Sequence, residues 1–253
     1  MALRTRQPLD LGQISLRKAE RGFVAGGTEA GKSTLADLLG ADFVHRYYNQ
    51  GGRRLILDSK PRYRAAQSLH GKAPRRRYKT WDHGPIIPGS LVVDNPGDLK
   101  SAWDLGNTRT IIAQCDGRAE IGRLVTFADA FLRDSRSSRP QLLQVDETMD
   151  FFHGNGSPIG GSDAILRAAR AGRERGTAAL YCSQRTRGIP PQLMEELKRL
   201  YAFRLDYTAD AKRFQEMGAP PFPLPEEPFE FMYWYKAEYR KVYGPFKLAL
   251  PRR

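Results

Sequence analysis

The stretch GGTEAGKSTLADLL (residues 26–39) decides the fold of this chain. A glycine, four further residues and then Gly31, Lys32 and Ser33 follow the G-x-x-x-x-G-K-[S/T] spacing, in which backbone N–H groups surround the phosphates of a nucleotide. Glycines permit the turn conformations and the close approach to phosphate oxygens that such a loop needs. The sequence therefore predicts a triphosphate site formed by Gly26, Gly27, Thr28, Glu29, Ala30, Gly31, Lys32, Ser33 and Thr34.

The residues on either side of the loop supply the context that it requires. Residues 22–25 are a short apolar strand candidate, and residues 34–39 have a helical spacing that is expected to end at Gly40. The order strand, loop, helix places the phosphates at the N-terminus of a helix. Lys32 is then expected to reach the β- and γ-phosphates of ATP, and Ser33 to hold Mg²⁺.

Composition limits the classes of protein that remain. The 253 residues suffice for one α/β domain with a sizeable core. Lys and Arg number 41 against 28 acidic residues, a net charge of +13 that favours nucleic acid as a partner, although a basic charge alone also suits an ordinary soluble protein. Cys115 and Cys182 lie in apolar runs, which favours buried, reduced thiols. No apolar run approaches the roughly 18 residues of a membrane span, so we expect a soluble protein.

Short apolar runs alternate with helical patterns along the chain, which indicates an α/β fold with a mainly parallel sheet flanked by helices. The predicted strands are 53–60, 91–94, 110–113, 141–145, 177–181 and 202–205, and the predicted helices are 99–105, 124–132 and 162–175, the last capped by Ser162. Residues 62–79 read as a basic connection. After a proline-rich segment, residues 229–235 and 239–246 are expected to form an aromatic β-hairpin. We therefore expect an N-terminal arm (1–21), a P-loop core (22–218) and a C-terminal extension of the same domain (219–253).

The segment LLQVDE (residues 142–147) supplies what hydrolysis needs beyond binding. Asp146, at the end of an apolar strand, is expected to support Mg²⁺ as the Walker B aspartate does in P-loop NTPases. Glu147 is placed to polarise the attacking water as a general base, unless the pair is only an acidic turn after a strand. Gln184 follows the next strand and is expected to sense the γ-phosphate by hydrogen bonding, unless it only satisfies loop backbone. The chain is thus predicted to hydrolyse ATP.

Several arginines cluster in the sequence between the Walker B segment and Gln184 or just after it. On the predicted helix, Arg167, Arg170 and Arg173 follow a three-residue spacing and share one stripe. Arg175 and Arg185 lie nearby. Most of the five are expected to form a solvated face, and one of them to act on the nucleotide of a neighbouring subunit as an arginine finger.

Five segments together resemble the FtsK–HerA superfamily of DNA-pumping ATPases, and they read GGTEAGKST, LILDSK, LLQVDE, RAGRERG and CSQRTRGIP. Within this superfamily the chain looks most like the genome-packaging ATPases of tailless, often membrane-containing icosahedral viruses. The resemblance covers about residues 22–205 and implies a RecA-like parallel sheet, a hexameric ring and the threading of double-stranded DNA without sequence preference. It assigns nucleotide and Mg²⁺ binding to Lys32 and Ser33, metal support to Asp146, the catalytic base to Glu147 and the sensor to Gln184. Arg173 matches the arginine of the superfamily's Gly-Arg step and is our first candidate for the trans-acting group, with Arg170 and Arg175 in reserve.

One residue departs from the superfamily pattern, and other readings stay open. Gln144 is polar where an apolar residue is usual, which weakens the predicted strand. A P-loop kinase or GTPase would share the phosphate loop, but a kinase usually lacks the Asp-Glu pair. A cellular or plasmid HerA-like or FtsK-like pump, or a non-enzymatic scaffold that binds DNA or a capsid vertex, are further alternatives. We expect the protein in the host-cell cytoplasm or with the virion, with a capsid vertex as an additional partner.

Overall fold

A ten-stranded sheet runs through the part of the chain that the structure describes. The structure is a computed structural model, and it describes residues 9–60, 64–68, 86–105, 108–115, 118–136, 138–161, 163–171, 174–238 and 240–248. The strands are β1 (Arg21–Ala25), β2 (Arg53–Asp58), β3 (Arg64–Ser68), β4 (Ile86–Val92), β5 (Thr110–Gln114), β6 (Gln141–Asp146), β7 (Thr177–Ser183), β8 (Arg199–Phe203), β9 (Glu230–Tyr235) and β10 (Val242–Lys247).

The strand order explains how distant segments of the sequence meet. The order is β10-β9-β8-β1-β7-β6-β2-β5-β4-β3. Strands β1 to β8 run parallel to one another, and β9 is antiparallel to both of its neighbours, β8 and β10. Strand β7 lies between β1, which leads into the phosphate loop, and β6, which ends in Asp146. The ends of these three strands therefore lie side by side at one edge of the sheet. The predicted parallel sheet with a C-terminal aromatic hairpin is confirmed.

Helices pack on both faces of the sheet. They are α1 (Leu11–Ile14), α2 (Lys32–Arg46), α3 (Leu99–Asp104), α4 (Ile121–Arg133), α5 (Ala164–Ala171), α6 (Pro191–Glu196) and α7 (Thr208–Lys212). Alternate strand residues point to opposite faces. Leu143 and Val145 join the larger core cluster with Phe127 of α4, whereas Leu142 joins a second cluster with Leu39 of α2. The sheet thus separates two apolar layers.

The first long helix does not end where the sequence predicted. Helix α2 continues through Gly40 to Arg46, so the predicted end at Gly40 is wrong. A Cβ atom at Gly40 would lie 2.3 Å from the Nε and Cζ atoms of Arg54, which reaches the helix from β2. The glycine therefore makes room for a buried guanidinium and does not terminate the helix.

The polar Gln144 inside β6 is explained by the same guanidinium. Arg54 is fully buried, and its Nε and Nη2 atoms donate to Gln144 Oε1 over 3.1 and 2.7 Å. The Nη1 atom of Arg54 donates to Asp37 Oδ1 of α2 over 2.9 Å. Buried charges need such partners, because removal of one leaves an uncompensated charge. The departure from the apolar pattern is therefore one half of a buried polar pair, and β6 is an intact strand.

We expect Gln144→Leu to lower the free energy of unfolding by about 3 kcal/mol, since the buried Arg54 loses two hydrogen bonds. Gln141 provides a matched control on the same strand, because it is buried and its amide forms no hydrogen bond within the described residues. We expect Gln141→Leu to change stability by less than about 1 kcal/mol. Urea unfolding followed by circular dichroism measures both variants, and equal losses would contradict this explanation of Gln144.

Several element boundaries differ from the predicted ones. Strand β8 lies at Arg199–Phe203 where 202–205 was predicted, and β4 begins at Ile86, five residues before the predicted start. Elements α1, β3, α6 and α7 were not predicted, and β3 lies in what the sequence suggested was a basic connection. Three predicted features fall wholly or mostly outside the described residues, namely the Ser162 cap, the basic connection 62–79 and Arg173.

The segments before β1 and after β8 pack onto the sheet. Ile14 and Leu16 are buried in the second core cluster beside residues of β8, β9 and β10. Arg199, at the start of β8, donates through Nε to Glu20 Oε2 over 2.6 Å, and Tyr235 of β9 donates to Glu20 Oε1 over 3.1 Å. The segment before β1 and the strands β8 and β9 are therefore joined to the core by burial and by hydrogen bonds.

The two cysteines are both buried and neither forms a disulfide, as predicted. Burial is the main reason why the pKa of the Cys115 thiol rises to about 12. None of the described helices has the length and apolar character needed to cross a membrane.

Candidate nucleotide site

The phosphate loop occupies the turn between β1 and α2. The backbone N–H of Gly26 donates to the carbonyl of Ser183 over 3.3 Å, and that of Gly27 donates to the carbonyl of Arg204 over 2.7 Å. Helix α2 begins at Lys32, directly after the loop, with Ser33 and Thr34 in its first turn. The ammonium of Lys32 donates to the carbonyl of Gly27 over 2.6 Å, so the lysine side chain folds back over its own loop.

Two of the glycines are required by packing as well as by the loop conformation. Gly31 has φ +106°, a value that L side chains rarely adopt. A Cβ atom there would also lie 2.8 Å from Cδ1 of Phe229. A Cβ atom at Gly26 would lie 2.6 Å from Cβ of Phe203 on β8. Any larger residue at either position would therefore displace the loop.

The C-terminal hairpin segment touches the phosphate loop, which the sequence did not indicate. The backbone N–H of Phe229 donates to the carbonyl of Ala30 over 3.0 Å, and the N–H of Leu248 donates to the carbonyl of Phe229 over 2.9 Å. Both side chains approach the position of a Gly31 Cβ atom. The segment outside the superfamily resemblance therefore supports the loop that the resemblance identified.

The acidic pair stands at the end of β6. Asp146 is the last residue of the strand and is buried. Glu147 follows in the left-handed region, with φ 56° and ψ 64°, a conformation that costs a residue other than glycine about 1–3 kcal/mol. The carboxylate oxygen Oε1 of Glu147 accepts from the hydroxyl of Ser183 over 3.1 Å and from the backbone N–H of Gln184 over 3.0 Å. The turn thus directs Glu147 toward the end of β7, beside the phosphate loop.

A lysine faces the other oxygen of the same carboxylate. The ammonium of Lys60, two residues after β2, lies 3.8 Å from Glu147 Oε2 and 3.5 Å from Asp150 Oδ2. The hydroxyl of Ser59 donates to the same Asp150 oxygen over 2.9 Å. Glu147 Oε2 is buried and accepts no hydrogen bond from a described residue. One oxygen of Glu147 is therefore anchored, and the other faces a cation across a gap longer than a hydrogen bond.

Gln184 connects the acidic residue to the phosphate loop. Its backbone N–H binds Glu147, and its side-chain Oε1 accepts from the hydroxyl of Thr28 over 3.4 Å. Thr28 belongs to the loop itself, so the loop, Gln184 and Glu147 form one connected set of hydrogen bonds. The structure thus brings together four of the predicted site residues, namely Lys32, Asp146, Glu147 and Gln184, at one edge of the sheet.

The donor set fits a magnesium ion. Asp146 supplies a carboxylate, and Ser33 supplies a hydroxyl in the first turn of α2. Hard oxygen ligands of this kind, completed by phosphate oxygens and water, are what Mg²⁺ prefers. The chemistry of the residues present is therefore compatible with the predicted metal.

Three of the five arginines that cluster in the sequence, Arg167, Arg175 and Arg185, have partners within the chain. Arg167 pairs with Asp129 and Asp163. Arg175 donates through Nη1 to the carbonyl of Leu132 over 3.1 Å, and the guanidinium carbon of Arg185 lies 4.3 Å from the ring centroid of Tyr207. Arg173 is not among the described residues.

Sequence reasoning missed Ser59, Lys60, Asp150 and Ser183, all of which meet at Glu147 or beside it. A signal was present for Lys60, because it ends the predicted strand 53–60 and belongs to the segment LILDSK of the superfamily resemblance. Ser183 was quoted as part of the resemblance but received no role. These residues reach Glu147 only because β2 and β7 are the neighbours of β6 in the sheet, and the strand order was not predicted.

Strand β1, the G-x-x-x-x-G-K-S loop and helix α2, set in a mainly parallel sheet, define a P-loop NTPase fold. Solved structures with this architecture are similar to the chain. The genome packaging NTPase B204 of Sulfolobus turreted icosahedral virus 2, in complex with sulfate, is similar with a TM-score of 0.57 and 14% identity over 91% of this chain and 98% of that one. The same protein in complex with ATP-gammaS gives a TM-score of 0.56 and 12% identity over 90% and 98%.

A protein of different origin has a comparable fold. VirB4 of Thermoanaerobacter pseudethanolicus is similar with a TM-score of 0.56 and 13% identity over 91% of this chain and 90% of that one. Neither a protein-family model nor a curated protein sequence matches the chain. At these identities the likeness is one of fold, and the fold that the predicted resemblance implies is confirmed.

Proposed function

We propose that this chain is an ATPase that translocates double-stranded DNA and packages a viral genome. The observation that carries the proposal is the position of Glu147, which Ser183 and Gln184 hold beside the phosphate loop. A buried carboxylate with one anchored oxygen and one oxygen without a hydrogen bond is suited to accept a proton from water. Similar folds in a viral packaging NTPase and in VirB4 support the same class of activity.

The reaction proposed is hydrolysis of the γ-phosphate. A water oxygen attacks the γ-phosphorus, its proton passes to Glu147, and the bond to the β-phosphate oxygen breaks to release ADP and phosphate. Lys32 breaks its hydrogen bond to the Gly27 carbonyl and binds the β- and γ-phosphates. Gln184 contacts Thr28 of the phosphate loop through its side chain and Glu147 through its backbone N–H, so it couples the presence of the γ-phosphate to the position of Glu147. Mg²⁺, held through Ser33 and Asp146, would neutralise charge on the phosphates when bound.

The partner proposed is duplex DNA, bound mainly through its phosphates. The net charge of +13 supports a polyanionic partner, and a structural neighbour, B204 of Sulfolobus turreted icosahedral virus, is a DNA-packaging ATPase. We further propose that the chain works as a homohexameric ring at a capsid vertex, in the host-cell cytoplasm or with the virion. A ring encloses the duplex, so that hydrolysis in successive subunits can move it.

Steady-state ATP hydrolysis, measured with and without duplex DNA, tests this function. We expect hydrolysis that depends on Mg²⁺ and rises several-fold with any of several unrelated duplexes, because phosphate contacts carry no sequence information. Lys32→Ala is the control for contaminating activity. An absence of ATP hydrolysis would favour the alternative of a non-enzymatic scaffold. A hydrolysis rate that does not change when duplex DNA is added would contradict the proposed DNA translocation. Strong preference for one sequence would contradict the phosphate-backbone partner.

A further inference from the structure

Arginines stand at the amino ends of four adjacent strands, at the sheet edge opposite the candidate nucleotide site. The strands are β5, β2, β6 and β7, in spatial order, and the arginines in or just before them are Arg109, Arg53, Arg139 and Arg175. We call this set the amino-edge arginine row. Because β1 to β8 run parallel, a feature shared by their starts forms a line across one edge of the sheet.

Backbone hydrogen bonds fix the order of this row. The N–H of Arg54 donates to the carbonyl of Arg109 over 2.8 Å, and the N–H of Arg53 donates to the carbonyl of Pro140, next to Arg139, over 3.1 Å. The N–H of Gln141 donates to the carbonyl of Gly176, which follows Arg175. Neighbouring strands are about 4.8 Å apart, so the row spans about 14 Å.

The row is separate from the nucleotide site. Strand β2 runs from Arg53 in the row to Asp58, two residues before Lys60 of the site. Its six residues span about 17 Å at the usual rise per residue. An anion bound at the row therefore cannot be the nucleotide that the phosphate loop binds. The row would be a second anion-binding surface of the chain.

Positive charge exceeds negative charge at this edge. Asp134 lies 3.2 Å from Arg53 and 3.6 Å from Arg139, so one carboxylate serves two guanidinium groups. Asp104 also attracts Arg53. Burial, followed by the repulsion from Arg139 and Arg109, nevertheless lowers the pKa of Arg53 to about 10. An added anion would relieve this repulsion, while Arg53 remains charged at neutral pH.

Aromatic rings hold two of the guanidinium groups in place. The guanidinium carbon of Arg109 lies 5.2 Å from the ring centroid of Tyr48, which is half exposed, and that of Arg53 lies 4.9 Å from the ring of Trp103. Such contacts restrict the side chains before any partner binds, which reduces the entropy lost on binding. A row of positioned guanidinium groups suits phosphate, which arginine binds in a bidentate manner.

We propose that the amino-edge arginine row binds the phosphate backbone of duplex DNA. The inference rests on the proposed function, whose partner it locates on this chain. Over about 14 Å of duplex axis the two strands together carry about eight phosphates, so a row of four arginines meets a high density of negative charge. The extended arrangement favours a duplex over a single lipid headgroup or an acidic peptide, because a duplex presents phosphates continuously along its length.

The test compares the effect of removing two positive charges from the row with the effect of removing two positive charges elsewhere on the surface. Arg109→Gln with Arg139→Gln is the test variant, because Arg53 is the more buried and closer partner of Asp134 and Arg175 donates to the Leu132 carbonyl. Lys212→Gln with Lys241→Gln is the matched control, because both lysines are exposed and lie outside the row. Fluorescence anisotropy with a labelled 30-base-pair duplex, without nucleotide, measures affinity across a salt series. Thermal unfolding checks that both variants fold.

We expect the row variant to bind about tenfold more weakly than the control variant at 0.15 M salt. We also expect the slope of log affinity against log salt to flatten by about 1.8, because each lost phosphate contact contributes about 0.9. If wild type binds duplex and the row variant matches the control, the row is not the DNA surface, and the proposed function stands. If wild type hydrolyses ATP but does not bind duplex, the DNA partner itself is wrong. Loss of binding to phosphatidylserine vesicles without loss of duplex binding would also overturn the inference.

Discussion

Glu147→Gln is expected to bind ATP nearly as well as wild type and to hydrolyse it at least about 100-fold more slowly. An amide of the same shape can still accept hydrogen bonds from Ser183 and Gln184, so the local structure should persist. It cannot take up the proton of the attacking water, and general-base catalysis is worth about 10²- to 10⁴-fold in rate. The ion pair with Lys60 is lost as well, but it does not touch the phosphate loop.

Lys32→Ala provides the contrast, because it should weaken binding as well as turnover. The ammonium of Lys32 lies over the phosphate loop and donates a hydrogen bond to the Gly27 carbonyl. The substitution removes the cation that is expected at the β- and γ-phosphates. Binding of a fluorescent ATP analogue and single-turnover hydrolysis separate the two effects. Near-normal turnover in Glu147→Gln would show that another group accepts the proton.

Arg173→Ala is expected to reduce hydrolysis by about 10³-fold in an assembled ring, which corresponds to about 4 kcal/mol of barrier. The reason is that negative charge spreads over the γ-phosphate oxygens in the transition state, where a guanidinium from a neighbouring subunit would stabilise it. An arginine on a solvated face would contribute almost nothing of this kind. Arg173 matches the Gly-Arg step of the superfamily resemblance, which is the basis of the assignment.

Subunit mixing tests whether Arg173 acts between subunits. Arg173→Ala subunits keep a complete phosphate loop, and Lys32→Ala subunits keep the arginine, so mixed rings should recover activity that neither parent shows. Differently tagged subunits confirm mixed assembly. The reserve candidates are tested in the same way with Arg170→Ala and Arg175→Ala, although Arg175 donates to the Leu132 carbonyl within its own chain. If confirmed mixed rings recover no activity at any ratio, Arg173 acts within its own subunit or has no catalytic role.

Local patterns in the sequence were sufficient for the phosphate loop and for most of the sheet. The spacing from Gly26 to Ser33 depends on residues that are close in sequence, and so do the apolar runs that became β2, β5, β6 and β7. The Asp146–Glu147 pair was identified because it directly follows such a run. Each of these features depends on the backbone conformation and on the spacing of apolar residues within a few positions, so it can be read from one short segment of the sequence.

Boundaries and polar partners were less predictable, because they depend on residues far apart in the chain. Gly40 suggested a helix end by local rules, but it accommodates the buried Arg54 from the next strand. Gln144 suggested a weaker strand, but it accepts two hydrogen bonds from that same arginine. In both cases a tertiary contact of a buried charge outweighed the local preference, since leaving the charge without partners costs more.

The sequence by itself therefore determined the class of fold, the phosphate loop and the acidic pair. Only the tertiary structure decided that Lys60 faces Glu147, that Phe229 supports the loop at Ala30, and that arginines from four strands form one row. The physical reason is strand order. Each strand could have paired with several others, and the choice rests on packing between segments that are up to about 200 residues apart, which no local pattern encodes.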